Sequence, residues 1–392
     1  MDIPSFSTLE KLLDFLLQQG IKNGVFPGGA AAVFSGHGRG RIQAITTCGQ
    51  TRLDEKGTKI DQKTFFDLAS LTKPLATTLL MYRLNEQGLL DWKDTYTALS
   101  KRKIPSDKKY ITIAQLLSHC SGLPAYRPYF ELFKPVVEEE NKRKLRRLIL
   151  ETSLAYEIGA ECRYSDLGFI LLGDGIEQIT GQSLDILFTE QIAYPLGLDE
   201  DLLYLPPSKK KNFSKEKFAA TERCRWRNRI IQGEVHDEHC FLMGGVAGHA
   251  GLFGTIGGVG RLCSSLLEGW QGRETGSVVS GDMLRQGLTR RYKDRTWCLG
   301  FDTPSTTGYT SAGTRLSRKS VGHLGYAGTS FWIDPDSDTV IVLLTNRVHP
   351  SRENTKIRQF RPWFHDRVME FVCPCSGAPR LCTIRPDSHR KN

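Results

Sequence analysis

Apolar positions along the chain switch between two periods, and the switches outline the fold. Near the start, Leu9, Leu12, Leu13, Leu16 and Leu17 recur at helical spacing, with Ser7 and Glu10 set before them as a capping box and Gly20 after them. Ala30 to Phe34 and Arg41 to Thr47 then read as two strands around the turn Gly36-His37-Gly38-Arg39-Gly40. The middle of the chain is mostly helical. Ile113 to Leu117 runs into the turn-rich break Ser118-His119-Cys120-Ser121-Gly122-Leu123-Pro124, and a charged helix follows over about 138–152. Leu167, Ile170, Leu171 and Ile176 mark another helix, closed near Thr180-Gly181. Strand signals return late: Ser330 to Ile333, the turn Asp334-Pro335-Asp336-Ser337-Asp338, then Thr339 to Leu344, which together predict a hairpin. A last helix is expected from about Glu353 to Val372.

Strands at both ends with helices between them predict an α+β fold, with an antiparallel sheet flanked by helices and built from both termini. A mostly helical lobe is inserted in it, and a cleft between two lobes is the expected place for a site. We expect one domain over 1–372, its α/β lobe from about 1–68 and 245–372, its helical lobe about 69–244, and a loose tail at 373–392.

The stretch Phe65-Phe66-Asp67-Leu68-Ala69-Ser70-Leu71-Thr72-Lys73-Pro74 organises the chemistry. An apolar strand-like run ends at Ser70, and Leu71, Leu75, Leu79 and Leu80 begin a helical stripe there. Lys73 then lies one turn along the same face, close enough to take a proton from the hydroxyl. The N–H of Ser70, at a helix start, is a candidate donor to a developing oxyanion. Pro74 removes one helical N–H, so a distorted first turn is expected. Spacing alone does not select this pair, since Ser-x-x-Lys also begins at Ser100, Ser106, Ser208, Ser214 and Ser388. Those five lie in lysine-rich or tail segments without apolar periodicity, whereas Ser70 has a strand before it and a helix after it.

Two further motifs would complete such a site. Tyr164-Ser165-Asp166 stands in a turn before the helix at Leu167, where a phenol with its pKa lowered by Lys73 would shuttle protons. The same Tyr-x-Asp spacing recurs at Tyr292-Lys293-Asp294, in a charged loop. His323-Leu324-Gly325-Tyr326 precedes the late hairpin, and the N–H after Gly325 is a second oxyanion candidate. Its rival, His249-Ala250-Gly251, lies in a glycine-rich loop.

Composition narrows the setting. With 39% hydrophobic and 24% charged residues in 392, the chain is globular and long enough for substantial cores, and no run approaches a membrane span. The first helix lacks a basic region before it, so a cytoplasmic location is expected. Ten cysteines at irregular spacing then suggest reduced, mostly buried thiols, although Cys373, Cys375 and Cys382 could hold a metal. The net charge is +10, in separate runs without interleaved aromatics, which favours a solvated surface over nucleic-acid binding. A basic face still suits anionic substrates. The run Gly233-Glu234-Val235-His236-Asp237-Glu238-His239 could bind a metal or contact substrate from a polar loop; Ser-Lys chemistry requires no metal or other cofactor.

The order Ser70-x-x-Lys73, Tyr164-Ser165-Asp166 and His323-x-Gly325 resembles the serine β-lactamase and penicillin-binding-protein superfamily, in its class C β-lactamase-like branch of esterases, peptidases and amidases. Leu116-Leu117-Ser118-His119-Cys120-Ser121-Gly122-Leu123 is similar to that branch's Leu-Leu-Thr-His-Thr-Ser-Gly-Leu segment. Gly248 to Phe253 and Gly325 to Ser330 are similar to it as well, and the likeness runs over about 26–372. The resemblance implies a β-lactamase/DD-peptidase-like fold. It makes Ser70 the acylated nucleophile, Lys73 its base, Tyr164 the second acid and base, and the N–H groups of Ser70 and Tyr326 the oxyanion hole. Asp166, His323, Gly325, His236 and Asp237 would contact substrate.

Two departures bear on the activity. Asp166 stands where class C β-lactamases carry asparagine, and would repel an anionic substrate unless Lys73 neutralises it. His323 replaces a lysine, which would tie the local charge to pH near neutrality. Weak or absent β-lactam turnover is therefore expected. The implied activity is hydrolysis of a small ester or amide, including a peptidoglycan-derived peptide or muropeptide. The competing classes are a non-catalytic binding or scaffold relative and, more distantly, a metal-dependent hydrolase built on His236 to His239.

Overall fold

The computed structural model describes residues 6–36, 42–210, 213–273, 276–291, 295–305 and 307–374. Five antiparallel strands form the main sheet in the order β2-β1-β10-β9-β8, where β1 is Gly28–Ser35, β2 Ile42–Gly49, β8 Val321–Leu324, β9 Ser330–Asp334 and β10 Thr339–Thr345. The N-terminal β1 pairs along its length with the C-terminal β10, from Gly29 opposite Thr345 to Ser35 opposite Thr339. One sheet is thus closed by both ends of the chain, as the late strand signals predict.

Alternation along the central strands sorts their side chains onto two faces. Ala31, Val33, Ile341 and Leu343 pack under the helices Leu9–Lys22 and Ile357–Val372. Ala30, Ala32, Phe34, Val340 and Val342 face the larger core with the helix Ile256–Trp270. Gly260 lets that helix approach, because a Cβ there would stand 2.2 Å from the Phe34 ring. The first helix departs from expectation at both ends. Thr8, not Ser7, is its N-cap, and it continues through Gly20 to Lys22 because Gly20 sits over the Phe26 ring.

The rest of the chain lies between the two sheet-forming ends. The helices Ile113–Leu117, Glu139–Glu151 and Asp166–Thr180 fall where the apolar periods place them, the last ending at left-handed Gly181. Two small sheets form beside the main one: β3 (Phe66–Asp67), the end of the strand-like run expected before Ser70, and β4 (Leu202–Tyr204) flank β7 (Leu252–Gly254), and β5 (Arg223–Cys224) pairs with β6 (Arg229–Ile230); of these strands only β3 is expected from the sequence. Each strand is too short to show a period. Among the described residues no helix is long and apolar enough to cross a membrane. The Gly36–Gly40 turn beyond Gly36, the Tyr292-Lys293-Asp294 motif, and Cys375 and Cys382 lie outside the described residues.

The cysteine expectation needs correction. Cys120 and Cys162 form a disulfide, since the loop that carries Cys162 is laid against the segment that carries Cys120. Cys48, Cys224, Cys240, Cys263 and Cys298 are free thiols.

Candidate active site

Ser70 follows a turn that its neighbours must hold in place. Ala69 adopts φ +48°, a left-handed conformation that costs a residue with a Cβ about 1–2 kcal/mol. The buried Asp67 carboxylate clamps it, accepting the N–H of Ala69 at 2.8 Å and that of His236 at 2.6 Å. Beyond Ser70 a short 3₁₀ turn, Ala69–Leu71, passes into a wide π-type turn, Lys73–Thr78, and regular α-helix starts only at Leu79. Pro74, which has no N–H to give, sits in that wide turn, so the expected distortion is real.

Lys73 is fully buried, and its Nζ donates to Ser70 Oγ at 3.1 Å, Asp166 Oδ1 at 2.6 Å and the His249 carbonyl at 3.0 Å. The Tyr164 hydroxyl donates to Ser70 Oγ at 2.6 Å and lies 3.2 Å from the same Asp166 oxygen. Burial lowers the Lys73 pKa, while the Asp166 carboxylate pulls it back upward. Tyr164 corrects the expectation. Burial first, and then Asp166, hold its pKa well above the ordinary phenol value against the opposing hydrogen bond to Ser70, so it rests as a neutral phenol.

Among the described residues, the N–H groups of Ser70 and Tyr326 have no acceptor within the chain. Gly325 is what brings Tyr326 near Ser70: a Cβ there would meet Thr329 Oγ1 at 1.9 Å and the Leu68 carbonyl at 2.6 Å. The end of β8 can therefore lie directly against the backbone before the serine. His323 is a second correction. Its ring is buried, Nδ1 pairs with the Leu324 carbonyl at 2.9 Å, and burial followed by Lys73 pulls its pKa down to about 3. It is a neutral wall, 6.0 Å from the Tyr164 ring and 5.7 Å from Trp297, and does not titrate near neutrality.

The cleft has two arms that share Ser70, Tyr164, Tyr326 and Arg352. One, about 340 Å³, is lined by Tyr126, Asp166, His236, Asp237, Glu238 and His249. Asp237 accepts from Cys240 N–H at 2.7 Å and pairs with His249 Nε2 at 2.8 Å. Burial opposes its charge, but His249 and its hydrogen bond hold the carboxyl below the ordinary range. His236 stacks on Tyr326 at 5.7 Å. The other arm, about 380 Å³, is lined by Trp297, His323 and the guanidinium groups of Arg347, Arg352, Arg358 and Arg361.

The 236–239 segment is not the expected loop, since Asp237 caps the short helix Glu238–Leu242, and it does not converge as a chelate: Asp237 turns to His249, Glu238 to Arg352, and His239 packs on Tyr126 and Phe130. Glu222, Cys224 and Glu238 do bring ligand atoms within 4.8 Å of one another. Arg352 already occupies both carboxylates, with Nε on Glu222 at 2.6 Å and Nη2 on Glu238 at 2.5 Å, so the group is an ion-pair cluster.

The family profile described as Beta-lactamase matches residues 13–361. The chain belongs to the Beta-lactamase family. Over 376 residues it is 32% identical to a Bacillus subtilis (strain 168) protein named N-acetylmuramyl-L-alanine amidase, covering 88% of this chain and 82% of that one. It is also 32% identical to an Escherichia coli (strain K12) protein provisionally named D-alanyl-D-alanine carboxypeptidase, covering 76% of this chain and 72% of that one. Among solved structures, the hydrolase EstCE1 has a TM-score of 0.71 at 22% identity, covering 92% of this chain and 98% of that one. The penicillin-binding-protein homologue from Pyrococcus abyssi has 0.69 at 18%, covering 93% and 77%.

Within this Beta-lactamase fold, the structure brings Ser70, Lys73, Tyr164, Asp166, His323, Gly325 and Tyr326 together, and sets His236 and Asp237 one arm away. Sequence reasoning missed His249, discounted as a loop motif, whose carbonyl holds Lys73. It also missed Trp297 and the four arginines. Arg347, Arg352, Arg358 and Arg361 recur through the last helix and the loop before it, a signal that could have been read as one basic wall.

Proposed function

We propose that this protein is a serine hydrolase that is acylated at Ser70 and cleaves an amide of a carboxylate-bearing, peptidoglycan-derived peptide. The observation that carries this reading is Ser70 Oγ held at once by Lys73 Nζ and the Tyr164 hydroxyl. Burial favours the neutral amine of Lys73, which can take the serine proton as Oγ adds to the carbonyl carbon. The N–H groups of Ser70 and Tyr326 receive the developing oxyanion. Tyr164, a phenol at rest, gives its proton to the departing nitrogen. Lys73 then returns the proton it holds to Tyr164, and Asp166, in contact with both, balances the transient ammonium. Water repeats the sequence on the acyl-enzyme and releases the acid.

The substrate class rests on the wall of arginines and on the relatives named for muramyl-alanine and D-alanyl-D-alanine bonds. Asp166 lines the opposite arm and not the wall of arginines, so a substrate carboxylate held by that wall does not lie against it. The test is intact-mass measurement after treatment with a fluorophosphonate, alongside turnover of N-acetylmuramyl-L-alanine peptides, D-alanyl-D-alanine peptides and nitrophenyl esters. One adduct on the wild type and none on Ser70→Ala is expected, with amide turnover exceeding any penicillin hydrolysis. An unlabelled wild type would leave the binding-protein alternative standing.

A further inference from the structure

Tyr164 lies at the end of an irregular stretch, residues 152–165, between the helices Glu139–Glu151 and Asp166–Thr180. No helix or strand fixes it there, yet its hydroxyl must stay on Ser70 Oγ. It is held by the segment 119–125. The His119 carbonyl accepts from Arg163 N–H at 2.9 Å and from the Tyr156 hydroxyl at 3.1 Å, and His119 Nδ1 accepts from Ser165 N–H at 3.0 Å. The His119 ring packs 4.8 Å from the Tyr164 ring and 4.4 Å from Trp297. To present ring and carbonyl to the same stretch, His119 adopts φ +58°, which a residue with a Cβ holds only when its surroundings enforce it.

One covalent tie joins the two segments: Cys120, next to His119, is bonded to Cys162, two residues before Tyr164. Arg295 lies over it, with Nη1 3.3 Å from Cys162 Sγ and 3.7 Å from Cys120 Sγ, and donates to the carbonyls of Gly159 and Ala160. Cys120 is buried and Cys162 is half-buried between exposed Glu161 and Arg163, so only Cys162 is open to a reagent.

We propose that the Cys120–Cys162 disulfide and His119 are positioning residues for Tyr164, and that reduction of this bond slows the reaction at Ser70. This rests on the hydrolase reading given above. The reductant is a dithiol: its thiolate attacks Cys162 Sγ, and Cys120 leaves as a thiolate beside the Arg295 guanidinium. The second thiol of the reagent then releases Cys162, so that one disulfide and one dithiol become two protein thiols and an oxidised reagent, with two electrons transferred.

The experiment compares wild type before and after dithiothreitol with Cys162→Ser and Cys120→Ser/Cys162→Ser. Bond state is followed by peptide mass mapping, and turnover by kcat and KM separately. Expected are a linked Cys120–Cys162 peptide, and a kcat at least about tenfold lower on reduction with KM within about twofold, since small displacements of an acid–base group cost that much. Both variants should match the reduced enzyme and ignore dithiothreitol. Alkylated Cys120 and Cys162 in the untreated protein would overturn the proposal, as would an unchanged kcat once the bond is shown to be open. If no substrate turns over in either state, the hydrolase reading fails separately. Hydrogen exchange of 119–123 and 163–166 then decides: faster exchange on reduction supports the brace, and identical exchange refutes it.

Discussion

The two arms of the cleft share Arg352 but differ in the balance of their other charges: three carboxylates line one, and three further arginines against the single Asp302 line the other. In the arm of Asp166, Asp237 and Glu238, every carboxylate already has a basic side chain as its partner within the chain: Lys73, His249 and Arg352. In the other arm, Arg347 is tied to the carbonyls of Tyr326, Arg352 and Asn354, and Arg361 to those of Gly325 and Thr329; neither has a carboxylate partner among these bonds. Burial, and then Arg347, pull the Arg361 pKa down to about 9, the mark of a cation without a counter-ion. Arg358 is exposed at the rim. An acidic arm neutralised from within is machinery, whereas a basic arm short of anions awaits one from outside.

Breaking the shared centre should have the largest effect. Lys73→Met should lower kcat/KM about 10³-fold or more for every substrate, acidic or neutral, since it removes the base for both half-reactions. A loss confined to acidic substrates would mean that Lys73 binds and does not catalyse. Sharpening the basic arm is the next step. Arg358→Ala should raise KM about three- to tenfold for carboxylate-bearing amides, leave kcat within twofold, and not affect a neutral nitrophenyl ester. An equal effect on the ester would remove the reason for assigning this arm to an anion.

The smallest effect concerns pH. His323 has a folded pKa of about 3, below its unfolded value, so the unfolded chain binds more protons between roughly pH 3 and 6.5. Its contribution to stability is therefore present above pH 6.5 and is lost as pH falls through that window. Burial lowers His119 and His365 in the same direction. The melting temperature should fall between pH 7 and 4, less so in His323→Gln. The pH–rate profile from 6 to 8 should keep its shape in His323→Gln; a shift there would restore the imidazole as a titrating group.

Much of this was legible in the sequence. Apolar segments such as Thr339–Thr345 and Asp166–Thr180 announce themselves, because both faces of the strand and most of the helix are buried. Ser70 and Lys73 stand out from rival motifs by their flanking elements, Tyr164 by the order of motifs that the family resemblance supplies, and the structure sets the three within hydrogen-bond reach. What could not be read was charge state. Tyr164 and His323 each carry a shift set first by burial, which spacing does not encode, and then by a charged neighbour: Asp166, two residues on, for Tyr164, and the sequence-remote Lys73 for His323. Nor could spacing show that His249, in a glycine loop, would turn its carbonyl onto Lys73.

That loop carries one more consequence. A Cβ on Gly248 would stand 2.2 Å from the Phe169 carbonyl, and one on Gly173 would stand 2.8 Å from Gly248 N, so two bare backbones touch where the loop crosses the helix Asp166–Thr180. The Thr77 hydroxyl reaches the same Gly248 carbonyl at 2.7 Å. Two acceptors of Lys73 Nζ, the His249 carbonyl and the Asp166 carboxylate, thus hang from a seam without side-chain padding. The spacing of the lysine's cage is gauged by backbone atoms, so even a single methyl at this seam would widen the cage and alter its proton affinity without touching a charged group.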